Sequence, residues 1–403
     1  MSKRSPNRPP SNRQVWILGA GFSQPLGGPL FEHVFSNAYL QLAESVARRE
    51  CTSDQLRSLK VSTWRAATTV YAEGRKSGFW QNAEQFLQVA NDALGDFENS
   101  PYRDVLGKWC DAAFRRNNLA SLGSKFSDID RSILSGENLD TPRIVKVVID
   151  HRYMLQYILY GARELLAVQV SIFLFRTESL ISKSERWRPF KHWMRQIRNG
   201  DAIVSFNYDE AVEYLARQVV SPNFLHCLLP DENPETGRPL LLKLHGSAGW
   251  ETTRGSGEAQ VTASNSHLSF LQSTEKQPFI LAPGPEKFEK TFKSIIRDSS
   301  EGVIRNADEV HVIGYRFPET DMFAQELILS SLRSNTKNPR VTLVLGPDNS
   351  NPARKRAKAL LESAAPGRVR VAEAYSQDYL LSYEARHRRA VSRTDFNEVF
   401  PRK

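Results

Sequence analysis

Two kinds of apolar spacing divide the chain. Between about 38 and 198, apolar residues recur at three and four positions, the period of an amphipathic helix. Leu155, Ile158, Leu159, Ala162, Leu165, Leu166 and Val170 make the clearest stripe. Elsewhere strand signals stand at 14–19, 202–206, 224–229, 240–244, 279–282, 309–314, 341–345 and 368–373, most of them short continuous apolar runs. Most of these runs predict strands buried on both faces, as in a parallel sheet. Periodicity alone leaves the first run open between strand and helix, and the glycines after it decide for a strand. Helical patterns lie over 209–219, 285–306, 320–334 and 353–364, and a further helix is expected from Pro29 toward Phe35. The alternation predicts a doubly wound, mostly parallel α/β sheet of Rossmann type carrying a large helical insertion.

The expected divisions come from this texture. Residues 1–13 hold three prolines, four basic residues and no acid, and read as a disordered tail. The sheet domain takes 14–37 and 199–373, the helical insertion 38–198, and a basic helical tail 374–403. Two stretches rich in small polar residues read as loops: 117–142 within the helical block, and 251–278, expected as a mobile loop beside the site.

Composition is that of an ordinary globular protein, and a formal charge of +9 favours anionic ligands or partners. The excess is concentrated at 183–198 and 353–370, each with six Lys/Arg against one Glu. Nucleic-acid contact is open there, but solvated helix faces are the expected reading. Trp187 and Trp193 fit one buried helical stripe. Cys51, Cys110 and Cys227 are scattered singly, so neither a disulfide framework nor a metal site is expected. The most apolar stretch, Leu165 to Phe175, has 11 residues, against about 20 for a membrane span. With a polar opening and no signal-peptide pattern, the expectation is a cytoplasmic protein with no membrane contact.

Candidate chemistry gathers where strands end. Gly19-Ala20-Gly21-Phe22-Ser23 comes after the first strand, where glycines allow close backbone approach to a pyrophosphate and Ser23 adds a hydroxyl. Gln24 stands where a dehydrogenase fingerprint needs its third glycine, which disfavours hydride transfer. The second strand runs into Ser205-Phe206-Asn207-Tyr208-Asp209, and another into Lys243-Leu244-His245-Gly246-Ser247. A carboxamide at Asn207 can accept from a ribose hydroxyl, and a neutral imidazole at His245 can take a proton. Asp209 can position a ribose or cap the next helix.

In that order the motifs resemble those of the sirtuin-type NAD-binding domain, specifically the bacterial group associated with antiphage defence. Gly19-Ala20-Gly21-Phe22-Ser23 with Gly28-Pro29 and Phe31 is similar to the family's cofactor loop, and Asn207 and His245 match its catalytic pair. Ala307-Asp308 with Val310-His311-Val312-Ile313-Gly314-Tyr315 resembles its late strand, with Asp321 at the spacing of the defence group. The resemblance implies NAD+ as substrate, catalytic Asn207 and His245, and binding by Gly19, Ala20, Gly21, Phe22, Ser23, Phe31, Asp209, Gly246, Ser247, Gly314, Tyr315, Asp321 and Asp348. It also implies cleavage of the nicotinamide–ribose bond to deplete NAD+. Expected partners are a second copy of this chain in a homo-oligomer, a HerA-type ATPase or an Argonaute-like protein. A separate partner is favoured because no sensor domain is recognisable after the last strand.

The chain departs from the family in three places. The four-cysteine zinc module of protein-deacylating members has no counterpart. Arg316 replaces a serine after Gly314-Tyr315, and Gly346 replaces an asparagine on the adenosine side. Two other readings stay open: a non-catalytic NAD or ADP-ribose-binding scaffold, and an NAD-dependent protein deacylase or ADP-ribosyltransferase.

Overall fold

The computed structural model describes residues 12–28, 34–117, 119, 151–181, 183–230, 232–235, 237–253, 261–264, 268–281 and 295–383. Ten strands are described: β1 Gln14–Leu18, β2 Ala202–Ser205, β3 His226–Cys227, β4 Leu240–Lys243, β5 Gly246–Thr253, β6 Val261–Ala263, β7 Lys276–Ile280, β8 Glu309–Ile313, β9 Arg340–Val344 and β10 Val369–Ala372. Helices before β2 are α1 Ala20–Ser23, α2 Asn37–Glu50, α3 Asp54–Lys76, α4 Ala83–Gly95, α5 Arg103–Arg116, α6 His151–Ile181 and α7 Arg188–Met194. After it come α8 Ala211–Val219, α9 Ile295–Arg305, α10 Met322–Arg333, α11 Pro352–Ala364 and α12 over 376–383.

Seven strands form one parallel sheet in the order β10-β9-β8-β1-β2-β4-β3. This is the α/β, doubly wound architecture that the short apolar runs predict. β1 is central, with β2 on one side and β8 on the other, so the winding reverses there. Such a switch opens a crevice above the carboxyl ends of the strands.

Alternation along the strands divides the core in two. Val15, Ile17, Ala202, Val204, Val310, Val312, Val341 and Leu343 point to one face and pack with α9, α10 and α11. Trp16, Leu18, Ile203, Leu241, Ile313 and Val344 point to the other, where they join the core of the helical block, α7 and α8. The 38–198 block is therefore continuous with that face and supplies its helical layer. α6 passes, by length and composition, for a membrane-crossing helix over His151–Phe175, but most of that window is buried inside the protein as a core helix. Trp187 and Trp193 are core residues, as their spacing predicts.

Three expectations need correction. The run at 279–282 does not enter the parallel sheet: β7 pairs antiparallel with β5 in a separate sheet of order β6-β5-β7. Most of that sheet lies inside 251–278, expected as loop; cross-strand pairing between β5 and β6 orders residues that carry no apolar alternation. The helical character expected from 374 is seen in α12, but Tyr379, Leu380 and Tyr383 are buried there, so this stretch packs into the core rather than leaving it as a tail. There the Tyr379 hydroxyl meets His311 Nδ1 at 2.8 Å, and Gln14 Nε2 donates to the Tyr383 hydroxyl at 2.5 Å. The helix expected from Pro29, most of the 1–13 tail and most of the 117–142 loop lie outside the described residues.

Candidate functional site

The loops leaving β1 and β8 touch backbone to backbone. Gly19 N–H donates to the Ile313 carbonyl at 2.9 Å, and Gly21 N–H to that of Gly314 at 3.3 Å. Gly314 has φ +71°, and a Cβ there would stand 2.4 Å from Phe22 N. A Cβ on Gly19 would stand 2.6 Å from the Gly314 oxygen. Close packing of two loops is thus what these glycines serve, and the amides of Gly19 and Gly21 are satisfied within the protein. Phe22, expected beside the cofactor, is buried edge-on against Phe190 and Trp193, each at 5.1 Å.

Asn207 and His245 come together through strand register. β2 and β4 are parallel neighbours with Ser205 opposite Lys243, so Asn207 and His245 each stand two residues beyond that pair. Both line one cleft of about 480 Å³ with Gly19, Ala20, Gly21 and Ser23 at its wall, a size suited to a small-molecule ligand. The Asn207 backbone N–H is held by Ser205 Oγ at 3.2 Å. Its carboxamide has no hydrogen bond among the described residues and faces the cleft.

His245 sits in an acidic, aromatic wall. Its Nε2 lies 3.2 Å from Asp321 Oδ2, to which the Tyr315 hydroxyl donates at 2.8 Å. Phe206 stacks on Tyr315 at 4.1 Å and meets the imidazole edge-on at 5.2 Å. Burial acts to lower the imidazole pKa, but Asp321 by charge and contact, then Glu84 by charge, outweigh it and raise the value above that of free histidine. Glu84 in turn is pushed up by burial, against the pull of His245 and the hydrogen bond from Thr320. Burial likewise holds the Tyr315 and Tyr208 hydroxyls well above the ordinary tyrosine range.

Behind this wall a buried lysine joins the two site loops. Lys243 Nζ donates to the Asp209 carbonyl at 2.6 Å, to Glu213 Oε1 at 2.8 Å and to Ser247 Oγ at 2.8 Å. Glu213 and Glu210 keep its pKa raised despite burial, which acts to lower it. Ser247, expected at the cofactor, belongs to this support and is buried away from the cleft. Gly246 makes the turn into β5 at φ +77°, where a Cβ would stand 2.2 Å from the Phe279 carbonyl oxygen.

Asp209 lines the cleft and is fully engaged: Oδ1 accepts from Ala211 N–H at 3.1 Å, and Oδ2 from Ser23 Oγ at 2.8 Å. It holds the first amide of α8, whose N-cap is Glu210, and also fixes the Ser23 hydroxyl. Burial raises its pKa, opposed by Lys243 and Ser23. Tyr315, Asp321 and Gly314 line the cleft, whereas Asp348 is exposed and closes its own turn by accepting from Ser350. Phe31 lies outside the described residues.

Several lining residues escape a sequence reading. Asn82 and Glu84 come from the start of α4, Leu166 and Val170 from α6, Tyr375 and Ser376 from the start of α12 and the residue before it. Asn82 accepts from Gln85 N–H at 3.0 Å, so Asn82 and Glu84 read in sequence as an ordinary helix start. Arg316 and Gly346, the two departures from the resembled motifs, both line the cleft. Two residues of the basic run after 353 turn inward, Arg354 donating to the Gly346 carbonyl at 3.1 Å and Arg356 holding Glu319 and the Phe317 carbonyl, while Lys355, Lys358, Arg368 and Arg370 are exposed. Among the described residues no cluster of three or more His, Cys, Asp or Glu is placed to hold a metal ion.

No protein-family model matches this chain, and no curated protein matches it. Among solved structures the chain is similar to Sir2 in complex with the inhibitor EX-527, 2′-O-acetyl-ADP-ribose and a deacetylated p53 peptide, at 11% identity and a TM-score of 0.32, over 93% of this chain and 94% of that one. It is similar to Sir2Tm bound to a propionylated peptide, also at 11% and 0.32, over 93% of both chains. A Sir2 complex with a p53 peptide and NAD+ matches at 12% and 0.28, over 54% of this chain and 81% of that one.

Proposed function

We propose that the protein cleaves the nicotinamide–ribose bond of NAD+ to nicotinamide and ADP-ribose. The observation that carries this reading is the pairing of an unengaged Asn207 carboxamide with the His245 imidazole, at one level of adjacent parallel strands, over the glycine-loop cleft.

As the C–N bond breaks, its electron pair passes to the nicotinamide ring nitrogen and neutralises the cationic ring, while the ribose carbon becomes positive. Water adds to that carbon from the opposite face and loses a proton. Asn207 orients the ribose hydroxyl and the water; His245 takes the proton. The stacked Phe206–Tyr315 wall keeps bulk water from the ring. Asp209, held by Ser23 and the α8 amide, fixes the loop that carries Asn207. Depletion of NAD+ as an antiphage effector, and assembly with a second copy or with a HerA-type or Argonaute-like partner, extend the proposal on the motif resemblance alone.

The test is incubation of the purified chain with NAD+, following nicotinamide and ADP-ribose by chromatography beside Asn207→Ala and His245→Ala. Product from the wild type and from neither variant supports the reading. Equal product from all three defeats it. Release of O-acetyl-ADP-ribose with an acetylated peptide moves the acceptor from water to protein.

A further inference from the structure

The helical block puts a carboxyl group into the cleft. Glu84 stands in the first turn of α4, two residues after the N-cap Asn82, and lines the cleft with Asn207, His245 and Asp321. A glutamate at this position ordinarily faces solvent, where the helix dipole favours it. Here the carboxyl turns inward and accepts from Thr320 Oγ1 at 3.0 Å. Thr320 belongs to the 3₁₀ turn Glu319–Asp321, so this hydrogen bond joins α4 to the turn that carries Asp321.

Two carboxyl groups lining one cleft repel unless a cation or a proton lies between them. His245 is the ionisable group that both act upon. Asp321 Oδ1 is buried with no hydrogen-bond partner among the described residues.

We infer that Glu84 is a positioning residue of this site: through Thr320 it holds the turn that carries Asp321, the carboxylate beside the His245 imidazole, so that chemistry seated on the sheet depends on a side chain delivered by the helical block. The inference rests on the NAD+ cleavage reading for its kinetic consequence, not for its structural one. The titratable groups around His245 are Asp321 from the turn after β8, Tyr315 from the end of β8, Tyr208 from the loop after β2, and Glu84 from α4. Asp321 and Glu84 both favour the charged ring. Glu84→Gln keeps size and neutralises one of them, so the uncharged ring persists to lower pH.

The experiment compares wild type, Glu84→Gln and Thr320→Val as full chains. The His245 imidazole is titrated by NMR, its resonance assigned with His245→Ala, and nicotinamide release from NAD+ is followed across pH. Glu84→Gln is expected to move the imidazole titration to lower pH, and the acid limb of kcat/KM with it, while KM changes less than about twofold. Thr320→Val removes the donor and keeps the carboxyl, and moves both in the same direction by less. Superimposable imidazole titrations in wild type and both variants overturn the inference. If Glu84→Gln does not fold, the Thr320→Val titration decides alone. If the wild type releases no nicotinamide, the cleavage reading fails, and the titration still decides the role of Glu84.

Discussion

Ser23 and Asp209, 186 residues apart in the chain, are joined by a buried hydrogen bond of 2.8 Å. The bond ties the glycine loop after β1 to the loop after β2 that carries Asn207, and it engages the hydroxyl that the sequence offers to a phosphate.

Replacing Asp209 tests that tie. Asp209→Ala leaves the Ser23 hydroxyl and the Ala211 amide without their acceptor. The expected cost is about 1–3 kcal/mol, read as a lower urea midpoint. Ser23→Ala is expected to cost less, because the carboxyl retains the Ala211 amide.

Lys243 should be less replaceable. It is 1% exposed and donates to three groups. Lys243→Met strands the Glu213 carboxyl in the interior, and a loss of about 3–5 kcal/mol is expected in denaturant unfolding. Lys243→Met with Glu213→Leu removes both charges and is expected to recover part of that loss. A double variant no more stable than the single one would show that the ion pair is not what holds the loops.

The raised pKa of His245 has a sign in both activity and stability. As a base the ring works only when neutral, so nicotinamide release is expected to rise with pH through a value above the ordinary histidine pKa of about 6.5. The same shift stabilises the fold fully below that unfolded-state value, and the contribution is lost as pH rises through the higher folded one. His245→Ala is expected to reduce turnover by about 100- to 10,000-fold and to flatten this part of the stability profile. Chromatographic rates and thermal midpoints across pH check both.

Two glycine-to-alanine changes should have opposite effects. At Gly314 the new Cβ meets Phe22 N at 2.4 Å on a left-handed backbone, and a loss of at least about 2 kcal/mol is expected. At Gly302, inside α9, an added Cβ meets nothing within 4 Å, and a gain of about 0.5–1 kcal/mol is expected. Thermal unfolding of the two variants beside the wild type measures the contrast.

What the sequence by itself determined is what short stretches can encode. Largely apolar runs specify β1, β2, β4, β8 and β9, because a strand covered on both faces needs no polar alternation. Asn207 and His245 are legible for the same reason: each stands directly after such a run. Tertiary structure decided what depends on pairing between distant residues. Sequence cannot show that Gly19 and Gly21 donate to Ile313 and Gly314, or that Ser247 supports Lys243. The β5–β7 sheet is hidden because Gly246–Thr253 has no apolar run and is ordered by cross-strand partners. Glu84 is hidden because the same residue serves equally well as a solvated first-turn glutamate; only the docking of α4 against the 3₁₀ turn at Thr320 turns its carboxyl inward, where burial and a neighbouring charge give it chemistry.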